Sequence, residues 1–98
     1  MTDFDYKQLD DTLQARIRVA IMAVLVSVVD ADFNFLREMV KTTDGNLSTH
    51  LRKLEDAGYV SMKKKFVDRK PQTKYKVTEK GRRALEEHIS ILEKLIRK

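Results

Sequence analysis

Thr43-Asp44-Gly45-Asn46-Leu47-Ser48-Thr49-His50-Leu51-Arg52-Lys53-Leu54-Glu55-Asp56-Ala57-Gly58-Tyr59-Val60 is the stretch on which the fold turns. Leu47, Leu51 and Leu54 recur at the spacing that brings side chains to one face of an α-helix. Thr43 suits the N-cap, and Asp44 places negative charge at the positive end of the helix dipole. Gly58 is positioned to close the helix in the left-handed conformation, with Tyr59 folding back as the apolar contact. The predicted helix therefore runs from Asp44 to Ala57. Opposite its leucines lie Gly45, Ser48, Thr49, Arg52 and Asp56, flanked by Asn46 and Lys53, with His50 and Ala57 at the edge of the core face.

Towards the N-terminus, a short helix is expected from Phe35 to Lys41, with Leu36, Met39 and Val40 inward and Asp32 or Asn34 as its cap. Thr42 and Thr43 interrupt the pattern. Two helices joined by so short a turn form a helix-turn-helix, here spanning residues 34–58. Before it, Leu9, Leu13, Ile17, Ile21, Val24, Leu25 and Val28 keep helical spacing and predict a first helix over residues 9–29. Its second half is apolar on nearly every side, because Val19, Met22, Ala23, Val26 and Val29 fill the remaining positions. A helix apolar all round must be buried all round. At about 30 Å in length, such a helix is more than one small domain can surround, so the sequence predicts a second subunit.

Towards the C-terminus the period changes. Val60 and Met62 alternate with Ser61 and Lys63, and Tyr75 and Val77 alternate with Lys74 and Lys76. Val67-Asp68-Arg69-Lys70-Pro71-Gln72 between them is turn-like, so residues 59–77 read as a β-hairpin. Thr78 caps a last helix over residues 79–97, where Leu85, Ile89, Leu92 and Ile96 form an apolar stripe widened by Ile91 and Leu95. The result is one α+β domain of 98 residues, mostly helical: three helices, a hairpin and a long C-terminal helix.

The net charge is +5, with 20 basic and 15 acidic side chains, but it is unevenly spread. Residues 63–76 carry Lys63, Lys64, Lys65, Arg69, Lys70, Lys74 and Lys76 against Asp68 alone. A local field of that strength attracts polyanions. The absence of cysteine excludes disulfides and thiolate metal sites, and no metal or cofactor is implied. Met1-Thr2-Asp3-Phe4-Asp5 lacks the features of a secretory signal. The longest apolar run, Val19 to Val29, falls short of the ~20 residues that span a bilayer. A cytoplasmic protein with no membrane partner is expected.

The exposed face of the third predicted helix has the composition a major-groove helix needs. Small residues allow close approach, Asn pairs with adenine, and Arg takes a bidentate hold on guanine. The N-terminal residues of the second helix of a helix-turn-helix meet the bases. Asp44, Gly45, Asn46, Ser48, Thr49, Arg52 and Lys53 are thus the candidate recognition residues. Lys63, Lys64, Lys65, Arg69, Lys70 and Lys74 on the hairpin are candidates for the phosphate backbone or the minor groove.

Two segments also carry a family resemblance. Asn46 to Val60 resembles the recognition helix and the start of the wing in MarR/ArsR-like winged helix-turn-helix regulators, and Tyr75-Lys76-Val77-Thr78-Glu79-Lys80-Gly81-Arg82-Arg83-Ala84-Leu85 resembles the end of their wing and their last helix. With Arg16–Leu25, the likeness covers nearly the whole chain and is nearest to the short single-domain members. It implies a three-helix core with a β-wing, a two-fold homodimer and repressor-like binding to double-stranded DNA. The lack of cysteine departs from the metal-sensing branch, and the short chain departs from regulators with a ligand pocket. No effector ligand can be read from the sequence.

Leu13, Ile17, Ile21, Leu85, Ile89, Leu92 and Ile96 are the candidate dimer residues. His50 reads as a half-buried structural histidine, and His88 as an interface or surface residue. Asp30 and Asp32 read as turn and capping residues rather than metal ligands. Tyr59, Phe66 and Tyr75 read as packing the hairpin onto the helices rather than stacking on bases. No catalytic arrangement is visible, so an enzyme is not expected. The alternatives to a DNA-binding regulator are a winged-helix module that binds RNA or another protein.

Overall fold

The computed structural model describes residues 9–97, so the first five residues, read above for a signal, lie outside the described residues. Seven elements follow in order: α1 (Arg16–Val26), β1 (Ala31–Asp32), α2 (Phe33–Val40), α3 (Asp44–Asp56), β2 (Val60–Val67), β3 (Lys70–Val77) and α4 (Glu79–Ile96). The helices enclose one core, and the hairpin of β2 and β3 projects from it.

The first helix is shorter than its apolar spacing predicts: α1 has 11 residues. The Asp10 carboxylate accepts from the amides of Thr12 at 2.8 Å and Leu13 at 3.3 Å, which holds the chain in a turn. The same side chain accepts from the Tyr59 hydroxyl. Helical backbone begins only after Ala15. At the other end, Ala31 and Asp32 leave the predicted loop to pair with Tyr75 and Lys74. Ile21, Met22 and Leu25 of α1 are fully buried within the protomer, together with Leu13 from the preceding turn. Around them Val19, Val24, Val26 and Val28 are only half-buried. Ala23 and Val29 are exposed.

Asp32 caps α2 by accepting from the Phe35 amide at 2.7 Å. The helix starts two residues before the expected position and ends at Lys41, whose φ of 58° is left-handed. Leu36 is buried and Val40 half-buried, but Met39 is exposed rather than inward. Phe33 joins the first turn and draws the inward face towards Leu36 and Val40, away from Met39.

In α3 the Thr43 hydroxyl accepts from the Asn46 amide at 3.2 Å. Leu47, Leu51 and Leu54 are buried as predicted. The helix closes with Tyr59 N–H donating to the Leu54 carbonyl and Gly58 N–H to that of Glu55, both at 2.9 Å. Gly58 has a φ of +80°. These two bonds and the left-handed glycine define a Schellman motif.

The three strands form an antiparallel sheet in the order β1-β3-β2. Only Asp68 and Arg69 form the turn of the hairpin, with φ of 51° and 65°. Val67, Lys70, Pro71 and Gln72, expected in the turn, belong to the strands. Two consecutive left-handed residues give the mirror-type turn whose twist matches that of paired strands. At the base of the wing, Thr78 Oγ1 donates to the Gly58 carbonyl at 2.7 Å and accepts from the Gly81 amide at 2.9 Å. Gly81 lies directly against Tyr59, where any Cβ would collide with the carbonyl oxygen. This crossing fixes α4 against the junction of α3 and β2.

Candidate nucleic-acid interface

With its leucines turned inward, α3 leaves Asp44, Gly45, Asn46, Ser48, Thr49, Arg52 and Lys53 exposed together, with Asp56 beside them. A Cβ added at Gly45 would meet nothing within 4 Å, so no packing need explains this glycine. Thr49 Oγ1 donates back to the Gly45 carbonyl at 3.0 Å, which turns its hydroxyl towards the helix. Ser48, Thr49, Arg52, Lys53 and Asp56 line a shallow depression on this face. Arg52 forms no ion pair among the described residues.

Asp44 differs from its neighbours. Its carboxylate is held by Arg37 Nη1 of α2 at 2.7 Å. It therefore ties the two helices of the helix-turn-helix together and stands at the edge of the exposed face, already engaged. Sequence reading overlooked Arg37, although a basic residue seven positions before an acidic one, across a tight turn, was a visible signal.

A second tie reaches α3 from behind. Arg18 Nη1 lies 3.1 Å from His50 Nδ1, and Arg18 Nε donates to the Thr12 carbonyl. Burial, followed by the charges of Arg18 and Lys53, holds the His50 pKa below the usual imidazole range. The neutral ring can thus accept the guanidinium hydrogen bond at Nδ1. His50 is half-buried and structural, as expected. Tyr59 has a similar role: burial, then the hydrogen bond to Asp10, pushes its hydroxyl up to about 12, and Lys80 Nζ stands 5.8 Å from its ring centroid.

The wing sorts its side chains by strand parity. The register pairs Ser61 with Lys76, Lys63 with Lys74, Lys65 with Gln72 and Val67 with Lys70. Alternation therefore puts Lys63, Lys65, Lys70, Lys74 and Lys76 on one side of the ribbon. Lys64 lies on the other side with Val60, Met62 and Phe66, opposite Val77, Tyr75 and Pro71 as that face runs out to the tip. Lys63 faces Lys74 directly, an arrangement of like charges that weakens a hairpin unless something anionic meets it. Lys65 and Lys74 are partly answered by Asp30 at 3.8 Å and Asp32 at 4.0 Å, and Asp32 also accepts from Gln72 at 3.0 Å. The two aspartates thus serve the wing as well as the turn. Arg69 occupies the tip.

The apolar candidates divide. Leu13, Ile21 and Leu85 lie in the protomer core, and Ile17 is half-buried against it. Ile89 and Ile96 remain 45% and 78% exposed, with Leu92 half-buried between them. Periodicity identified these as inward-facing positions but could not say against what. His88, expected at a surface or interface, is buried within the protomer, and its Nδ1 has no hydrogen-bond partner among the described residues. Tyr75 is buried and Tyr59 half-buried, as the packing role requires, whereas Phe66 is 80% exposed.

A helix-turn-helix with an open second helix beside a cation-faced hairpin is the architecture of winged-helix DNA-binding proteins. The chain belongs to the family described as winged helix DNA-binding domain, whose model matches residues 17–96. It is 42% identical over 73 residues to an uncharacterised protein of Methanocaldococcus jannaschii, covering 74% of this chain and 79% of that one. Its structure is similar to that of a transcriptional regulator homologue from Pyrococcus horikoshii, at a TM-score of 0.77 and 29% identity, covering 92% and 94% of the two chains. The Staphylococcus aureus MepR–DNA complex shares the fold at a TM-score of 0.77 and 16% identity, covering 93% and 74%. The MarR-like winged-helix architecture implied by the sequence motifs is therefore present. No helix among the described residues is long and apolar enough to cross a membrane.

Proposed function

We propose that the protein is a sequence-specific, double-stranded DNA-binding transcriptional regulator that acts as a homodimer, without enzymatic activity, in the cytoplasm. The observation that carries this reading is the open face of α3: Gly45, Asn46, Ser48, Thr49 and Arg52 are exposed together, and Arg52 forms no ion pair among the described residues. Arg52 reads a guanine, a contact worth roughly 1–3 kcal/mol of discrimination. The lysine side of the wing and Arg69 at its tip hold phosphate or enter the minor groove. Ile89, Leu92 and Ile96 on α4 supply the subunit contact. Occupancy of a promoter by such a dimer excludes other proteins, which supports repression.

A two-fold dimer presents its recognition helices about 34 Å apart, so the site is an inverted repeat with half-sites one helical turn apart. Selection of bound duplexes from a random library tests this. The wild type should return an inverted repeat, and Arg52→Ala should relax one base pair in each half-site. Identical selected sequences would remove the base-reading role of Arg52, and stronger binding to duplex RNA in competition would overturn the DNA assignment. Light scattering should give twice the chain mass, and Leu92→Glu should lower both that mass and the melting temperature, because folding and association are linked.

A further inference from the structure

We propose that Phe66 and Pro71 form an apolar wedge that enters the minor groove of the bound duplex and unstacks one base step; this rests on the reading of the protein as a duplex-DNA binder. Phe66 faces Pro71 across the ribbon, one pair below the Val67–Lys70 pair that closes the turn. In a two-residue hairpin the closing pair is hydrogen-bonded and the next pair is not. Pro71 therefore sacrifices no ladder bond, and the two side chains stand at the closer of the two cross-strand spacings.

Both residues lie on the side of the ribbon that, nearer its base, buries Val60, Tyr75 and Val77 in the core. That side continues past the body of the protein: β1 reaches only Tyr75 and Lys74, and Phe66 is 80% exposed. The cations close to this bare ring are Lys64 on its own side, Lys65 and Lys70 on the other, and Arg69 at the tip. A lipid interior or an apolar protein groove would have to accept those charges. Stacked bases between two rails of phosphate offer an apolar interior and anionic edges, so charge complementarity commits the wedge to DNA.

The reach agrees. Phe66 lies six residues beyond Val60, or some 20 Å of strand. The minor groove beside a helix seated in the major groove lies about 17 Å away, half a helical turn. Apolar side chains inserted from the minor groove kink the duplex, and this happens most readily at flexible TA and CA steps. The wing thus selects sequence at a position where no base edge is read.

The experiment uses the full chain and a duplex recovered by selection, labelled at its ends with a donor and an acceptor dye. Wild-type protein should bend the duplex by tens of degrees. Phe66→Ala should leave the duplex straight and lower affinity about 10-fold, while the salt slope stays unchanged, because no phosphate contact is lost. Phe66→Trp should retain the bend. Replacing a TA step at the wing contact by a stiffer step should weaken the wild type and not Phe66→Ala. Melting and light scattering of Phe66→Ala should match the wild type; a change in its mass would assign the face to contacts between copies and overturn the wedge. Tight binding with an equal bend in wild type and Phe66→Ala, or with none in either, would overturn the wedge alone. Failure of the wild type to bind any duplex would overturn the functional reading beneath it.

Discussion

Nη1 of Arg18 lies 3.1 Å from Nδ1 of His50, so α1 grips α3 at the middle of the helix whose outer face is the candidate reader of DNA. The His50 pKa is held down by burial and then by Arg18 and Lys53, so the folded state binds fewer protons than the unfolded one in this range. The stability this group contributes is fully present above the ordinary imidazole value of 6.5 and is lost as pH falls through the lower folded value. Urea melts at a series of pH values from about 7.5 to about 5, spanning the ordinary imidazole range, should show the wild type losing more stability than His50→Gln. Parallel curves would show that His50 takes no part.

Gly81→Ala should destabilise the fold by about 3 kcal/mol, because its methyl group would meet backbone rather than a movable side chain. The Tyr59 carbonyl it would strike also accepts from the Thr78 amide at 3.0 Å, so the base of the wing would have to shift as a unit. Thermal unfolding reads this directly, and a change under 1 kcal/mol would mean that the crossing is looser than its geometry.

Gly45→Ala should act in the opposite sense on the free protein. With nothing within 4 Å to oppose a methyl group, the helix should gain up to about 1 kcal/mol from propensity. Affinity for duplex DNA, measured by fluorescence anisotropy, should nevertheless fall, because the added methyl group meets the groove. Unchanged affinity would show that the start of α3 stays clear of the bases.

Arg69 holds a φ of 65° in a turn position that glycine would occupy without strain. Arg69→Gly should leave stability unchanged or raise it by up to about 1 kcal/mol. It should weaken binding to all duplex sequences alike and reduce the salt slope by about 1. If the slope is unaffected, the guanidinium makes no phosphate contact.

The parts of the fold that were legible in the sequence are those set by neighbours in the chain. The bounds of α3, its Thr43 cap and its Gly58 stop follow from local chemistry, and all appear in the structure within a residue. The first helix was over-extended because helical spacing continues through Leu13, which is buried from a turn that Asp10 stabilises with help from the distant Tyr59. The strand Ala31–Asp32 exists only through its pairing with Tyr75 and Lys74, more than forty residues away. The open face of α3 was recognisable from its wheel. Placing the wing lysines on one side required the register, which depended on locating a two-residue turn inside a stretch rich in turn-forming residues.

Because Phe66 stands an even number of residues along β2 from the buried Val60, it shares that side of the ribbon, while Lys63 and Lys65, an odd number away, share the other with Lys70, Lys74 and Lys76 of β3. Removing or adding one residue on each strand between base and tip would carry the ring to the opposite side while leaving the hairpin closed. Changes of two residues on each strand would alter reach by roughly 7 Å and preserve sidedness. The length of this appendage is therefore quantised. Homologues and engineered variants that keep the same chemistry at the tip should differ in strand length by twos, and a single-residue deletion there should be as damaging as the loss of the aromatic ring.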